Sequence, residues 1–171
     1  MSSPRHPLHD WPVQVTTPGF YAWYAEPAVF ISQTLVDRGT KRDAEEITHL
    51  VDLAIEERSE DVKRNGGLLI LHDWRTLKGY DTDARAFMME RVRSHTRGRI
   101  REMVIAIEMS PLFQLALGAA NAFLVLATGK SLRTVSAVAP ELIRYGIKKP
   151  AEGSRFPGPL RSSMRVPRSR S

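Results

Sequence analysis

Residues 69–92 read LILHDWRTLKGYDTDARAFMMERV and concentrate His72, Asp73, Asp81, Thr82 and Asp83 between an apolar run and a helical pattern. An imidazole with three carboxylates has the donor chemistry of a divalent-cation site. The spacing argues against one, because adjacent strand residues point to opposite faces and His72 and Asp73 cannot easily share an ion. No H-E-x-x-H helix or EF-hand loop is present. There is no G-x-S-x-G elbow, and no nucleophile stands beside a base in the sequence. Gly66-Gly67 precedes the apolar run, whereas a phosphate-cradling loop would follow it. No metal, cofactor or catalytic residue is expected. An enzyme built on His72 and Asp73 would need both side chains to converge on one pocket.

Two other uses of the stretch are open. In the first, Asp73 and Trp74 anchor a loop by hydrogen bonding and packing, and Asp81 and Asp83 favour the positive N-terminus of the following helix. In the second, the hydroxyl of Thr82 is a switch. Phosphorylation there would add close to two negative charges beside exposed backbone N–H groups and beside Asp81 and Asp83. The partner-binding surface expected on this reading is Asp73, Trp74, Arg75, Tyr80, Asp81 and Asp83.

The elements that must position these groups are legible along the chain. Residues 1–12 are polar, broken by Pro4, Pro7 and Pro12, and read as a flexible lead. Two β-rich runs follow at about 13–25 and 28–35, with Phe20, Tyr21 and Trp23 on the first. A helix then opens at Thr40 with Asp43, carries Ile47, Leu50, Val51, Ala54 and Ile55 as one apolar stripe, and stops at Asn65-Gly66-Gly67. His49 lies beside that stripe and reads as a packed or solvent-edge histidine. The run GLLILHDW has the continuous apolar character of a strand buried on both faces. A second helix starts at Asp81 or Thr82, turns Ala84, Phe87, Met88 and Val92 inward, and ends at Gly98.

REMVIAIEM is a further strand, and Ser110-Pro111 opens a third helix that is apolar almost all round. That helix falls short of the roughly 20 apolar residues of a membrane span and contains Gln114, Gly118 and Asn121. It is expected to pack on the sheet, with one face available for self-association. SLRTVS and APELIRYGI close the pattern as a strand and a helix. The fold class is α/β: one domain over 13–147, in the order ββαβαβαβα, with a mixed, mostly parallel sheet covered by helices.

The net charge of +6 is unevenly placed. Lys148 to Ser171 holds seven cations and one anion, which accounts for all of it. The basic character therefore belongs to the end of the chain, where Pro, Ser, Gly and Arg predict a disordered tail over 148–171. Arg161, Arg165, Arg168 and Arg170 there could touch an anionic membrane or nucleic acid weakly. Arg93 and Arg97 share a helical face and read as solvated charges. The chain has no cysteine, which rules out disulfides and thiolate metal sites, and its N-terminus has no apolar signal-peptide core. A cytoplasmic protein is expected.

Over about residues 13–146 the order of elements resembles the STAS domains (sulfate transporter and anti-sigma factor antagonist). In that family an apolar central strand leads through a short loop to Asp-Ser-(Ser/Thr/Ala)-Gly at a helix start, and a partner kinase phosphorylates the serine. The matching positions here are Asp81, Thr82, Asp83 and Ala84. Asp83 and Ala84 depart from the motif, and the loop HDWRTLKGY is longer than usual. The resemblance implies a non-enzymatic regulatory or scaffold module whose partner is another protein: a kinase, an anti-sigma-like protein or a scaffold component. A small-ligand or lipid carrier, with its pocket between the third helix and the sheet, is the alternative.

Overall fold

The computed structural model describes residues 8–94, 99–108, 118 and 132–166. Most of the stretch expected to form the third helix, and with it the expected self-association face and carrier pocket, lies outside the described residues.

The chain opens with the short strand β1 (Val15–Thr16), then β2 (Phe20–Ala25) and β3 (Val29–Thr34), which run antiparallel. β4 (Arg38–Gly39) leads into helix α1 (Lys41–Glu57), continued by α2 (Ser59–Arg64). β5 (Leu68–Asp73), β6 (Gly79–Tyr80), α3 (Thr82–Ser94), β7 (Ile100–Ala106), β8 (Leu132–Val135) and α4 (Ala139–Arg144) follow. The main sheet has the order β1-β2-β3-β5-β7-β8, parallel from β3 onward. The mixed α/β architecture read from the sequence is the one observed.

The pattern logic is visible in β5, where all six residues are buried because the strand is covered on both faces. Leu68 and Ile70 join Phe20, Phe30, Leu50, Leu53, Ala54 and Ile55 in a core beneath α1. Leu69 and Leu71 join Leu8, Trp23, Val29, Ile31, Val104 and Val138 on the other side, where α4 packs. Each Val, Leu, Ile or Phe among them contributes on the order of 1.5–3 kcal/mol on burial. Phe20 and Trp23 are thus core residues, and Tyr21 is half-buried.

Both chain ends depart from expectation. Leu8 is buried and Trp11 packs beside it, so the lead is tethered from residue 8. The disordered tail expected from Lys148 is, over residues 150–166, a strap laid along α1 and the β1 edge. Phe156 and Met164 are buried and Leu160 is half-buried, all in the core beneath α1. Thr16 and Arg165 exchange backbone hydrogen bonds of 3.1 and 2.9 Å, and Gln14 Nε2 donates to Ser154 Oγ at 3.0 Å. Three apolar side chains suffice to hold a segment whose average composition is polar. Arg161 and Arg165 are exposed on this strap; Arg168 and Arg170 lie outside the described residues.

Candidate functional site

At the C-terminal ends of β3 and β5 the chain leaves the sheet through two loops, and a small second sheet ties them together. Arg38 pairs with Gly79 and Gly39 with Tyr80, in parallel. The approach is close enough that a Cβ at Gly39 would lie 2.3 Å from the Tyr80 ring, so position 39 admits only glycine. Tyr80 lies edge-on to Trp74 at 5.4 Å, and burial raises its phenol pKa, with Asp43 adding to the rise.

Because this pairing ends at Gly39 and Tyr80, α1 and α3 begin side by side. Thr40 caps α1 in a reciprocal arrangement: Asp43 N–H donates to Thr40 Oγ1 at 3.3 Å and Thr40 N–H donates to Asp43 Oδ2 at 2.8 Å. Asp81 does the same work for α3, accepting from Ala84 N–H at 2.7 Å. Asp81 is therefore the cap, and Thr82 is the first helical residue. Its side chain is exposed, and its Oγ1 accepts from Arg85 Nη2 at 3.3 Å. Asp83 is exposed beside it.

His72 and Asp73 are turned inward, on opposite faces. His72 is buried, with Ser32 Oγ 2.6 Å from its Nδ1 and the Trp74 ring stacked on it at 5.0 Å. Loss of solvent pushes its pKa down to about 3, so the ring is neutral across the physiological range. Asp73, also buried, accepts from Arg75 Nε at 2.9 Å and Nη2 at 3.0 Å, a bidentate pair that raises the guanidinium pKa. These two candidates share no pocket. Among the described residues no group of three or more His, Asp or Glu side chains is arranged around a metal position.

Of the expected partner surface, Asp73 and Trp74 are buried and Arg75 and Tyr80 are partly covered. The exposed part is Asp83 with Thr82, together with a half-buried Asp81 and exposed Lys78, Asp37 and Thr40 around them. Arg93 has no described side chain and Arg97 lies outside the described residues. His49 is a half-buried histidine with burial and Arg161 lowering its pKa.

Several groups escaped the sequence reading. Ser32 was one polar letter in an apolar strand, and β4 and β6 are two residues each, too short for any periodicity. A charged network also joins β7, β8 and α4. Arg133 donates to Glu102 at 3.0 Å, to both oxygens of Glu141 and to Tyr145 Oη at 2.9 Å, while Tyr145 donates to Glu102 at 2.7 Å. Hydrogen bonds to Glu141 and then to Tyr145 and Glu102 outweigh burial and raise the Arg133 pKa. Burial alone would raise Glu102; its bonds from Tyr145 and Arg133 hold it below its ordinary value. The partners lie up to 43 residues apart, beyond any local pattern.

No protein-family model and no curated protein sequence matches the chain. Solved structures do. An uncharacterized protein of the DUF3478 family with a SpoIIAA-like fold, from Shewanella loihica PV-4, superposes with a TM-score of 0.53 at 18% identity, covering 84% of this chain and 98% of that one. The anti-sigma factor antagonist SpoIIAA in its unphosphorylated form gives a TM-score of 0.45 at 12% identity, over 74% and 96% of the two chains. No helix among the described residues is long and apolar enough to cross a membrane. The match to the Shewanella protein, together with the sheet order and the paired helix starts, gives this chain a divergent SpoIIAA-like, STAS-type α/β fold.

Proposed function

We propose that the protein is a non-enzymatic regulatory or scaffold module that acts in the cytoplasm through protein–protein contacts. Its contact surface is the end of the domain where α1 and α3 start, and Thr82 is the switch within it. The observation that carries this reading is the exposed Thr82 hydroxyl on a capped first turn, next to exposed Asp83. A phosphate there would change the local charge by nearly two units without touching the core. Burial of His72 and Asp73 on opposite faces favours a non-catalytic role for them. Nothing among the described residues favours the ligand or lipid carrier.

The test is phosphopeptide mapping of protein isolated from its own cells, with partners co-purified at low salt. Phosphate on Thr82, and a partner that binds wild type and Thr82→Ala but not Thr82→Glu, supports the switch. An unmodified Thr82, with partner binding unchanged in both variants, refutes it.

A further inference from the structure

At the other end of the domain, the turn after α4 carries a second, independent surface. Gly146, at a φ of 60°, ends α4: its N–H donates to Ile143 O at 3.1 Å, and Ile147 N–H donates to Leu142 O at 2.9 Å. This double hydrogen bond, with Ile147 and Leu142 packed into the core behind it, makes the helix end rigid. Lys148 N–H then donates to Glu26 O at 3.2 Å, which pins the next residues to the sheet.

That turn presents Ile143 at 83% exposure, against 53% for Val166 and 40% for Leu35, the other exposed large apolar side chains among the described residues. Arg144, Lys148 and Lys149, which flank it in the chain on either side of the Gly146 turn, are exposed. Among the described residues none of the three forms an ion pair, whereas Lys41, Arg42, Lys63 and Arg64 on α1 and α2 each have a carboxylate partner. Arg101 is drawn to the same place, since its guanidinium and that of Arg144 lie 5.7 and 5.6 Å from the centre of the Tyr145 ring. The Arg133 charge nearby is already answered by Glu102 and Glu141.

We propose that Ile143, Arg144, Lys148 and Lys149, with Arg101 at their border, form a docking surface for an acidic protein segment that carries one apolar residue. The charges select an anionic partner, and a side chain as exposed as Ile143 gains only when a partner covers it. A membrane is the poorer fit. Interfacial helices insert an apolar face, whereas α4 turns Leu142 inward and offers Ile143 alone. Nucleic acid is also a poorer fit, because single-strand binding relies on free aromatic faces for stacking and the Tyr145 ring is covered by guanidinium groups.

The test titrates the full chain, by calorimetry and by backbone amide shifts, with a short Asp/Glu peptide carrying a central leucine. The same peptide with the leucine replaced by serine, vesicles containing phosphatidylserine, and a short DNA duplex are run beside it. Expected are amide shifts centred on residues 143–149, weaker binding on adding salt, and an affinity lowered about tenfold or more by combined Arg144→Glu, Lys148→Glu and Lys149→Glu. Ile143→Ser should reduce affinity only for the leucine peptide. All four positions are solvent-facing, and a far-ultraviolet circular dichroism spectrum identifies any misfolded variant; Lys148→Gln with Lys149→Gln replaces the reversal in that case. Absence of peptide binding, binding unaffected by these variants, or preferential binding of vesicles or DNA overturns the proposal.

Discussion

Replacing Phe156 by alanine tests whether the end of the chain is part of the fold. The Phe156 ring is buried and meets Phe30 edge-to-face, at 6.1 Å between centroids and 88° between planes. Deleting a buried phenyl ring costs about 3–5 kcal/mol, and about 0.5–1.5 kcal/mol of that belongs to an aromatic pair of this geometry. The lower end, about 3 kcal/mol, is expected for a ring on a segment with few other buried side chains, since Phe156 and Met164 are the strap's buried large apolar residues. With a urea slope of roughly 2 kcal/mol per molar for a domain of this size, the unfolding midpoint should fall by about 1.5 M. Phe156→Leu should recover more than half of the loss. A cycle with Phe30→Leu should return a coupling of about 0.5–1 kcal/mol, because both substitutions act on one contact. A disordered tail gives a different answer: Phe156→Ala would stay within about 0.5 kcal/mol of wild type, like other changes at solvated positions. That result, or zero coupling to Phe30, would refute the strap.

Three further outcomes follow from the same reasoning. Asp81→Ala should cost about 1 kcal/mol in thermal or urea unfolding, through loss of the α3 cap, while Asp81→Ser should retain most of it. Arg133→Met leaves the buried Glu141 and the half-buried Glu102 without their guanidinium partner, and should cost about 3 kcal/mol near neutral pH. His72 makes stability depend on acid. Its folded pKa of about 3 lies below the unfolded value near 6.5, so between them the unfolded chain binds the extra proton. Its contribution is complete above about pH 6.5 and is lost as pH falls toward 3, with a slope of up to about 1.4 kcal/mol per pH unit. Urea midpoints from pH 7 to pH 4 should show this slope in wild type and a shallower one in His72→Gln.

The parts of the fold that were legible in the sequence are those where one local rule decides. β5 is a continuous apolar run, and a strand covered on both faces has no other pattern. α1 announces itself by a Thr40–Asp43 box and an apolar stripe, and the structure realises both. The strap was illegible because disorder was inferred from average composition, while its fixation depends on Phe156, Leu160 and Met164. These are spaced by four among prolines that forbid a helix, and Gly158 and Ser162 between them break the apolar alternation a strand would show. The candidate site was half legible. Its location and the first turn at Asp81–Thr82 follow from strand and cap signals. The inward turn of Asp73 does not, because its partner Arg75 stands two residues away in what reads as an open loop. The arch over the site rests on the close approach of Gly39 to Tyr80, which couples residues 41 positions apart through two-residue strands.

The burial of His72 and Asp73 bears directly on how a switch at Thr82 would work. The two residues occupy the end of β5, where an open α/β sheet usually places its ligand. Here each is answered on its own face, His72 by Ser32 and Asp73 by Arg75. The polar groups therefore tie down the strand end, and Trp74, stacked on His72, and Tyr80, edge-on to Trp74, carry that order outward to the arch. The arch in turn sets the start of α3, since Asp81 N–H donates to Gly39 O at 3.0 Å. A modification of Thr82 would thus meet a first turn already fixed by its cap and by the arch beneath it. Under the proposed function its effect on a partner is one of charge rather than of refolding. Like charges brought together at an interface cost several kcal/mol, and exposed charges are screened by salt. Partner release by phosphate should accordingly weaken as ionic strength rises, while the unfolding midpoint of the modified protein stays close to that of the unmodified one.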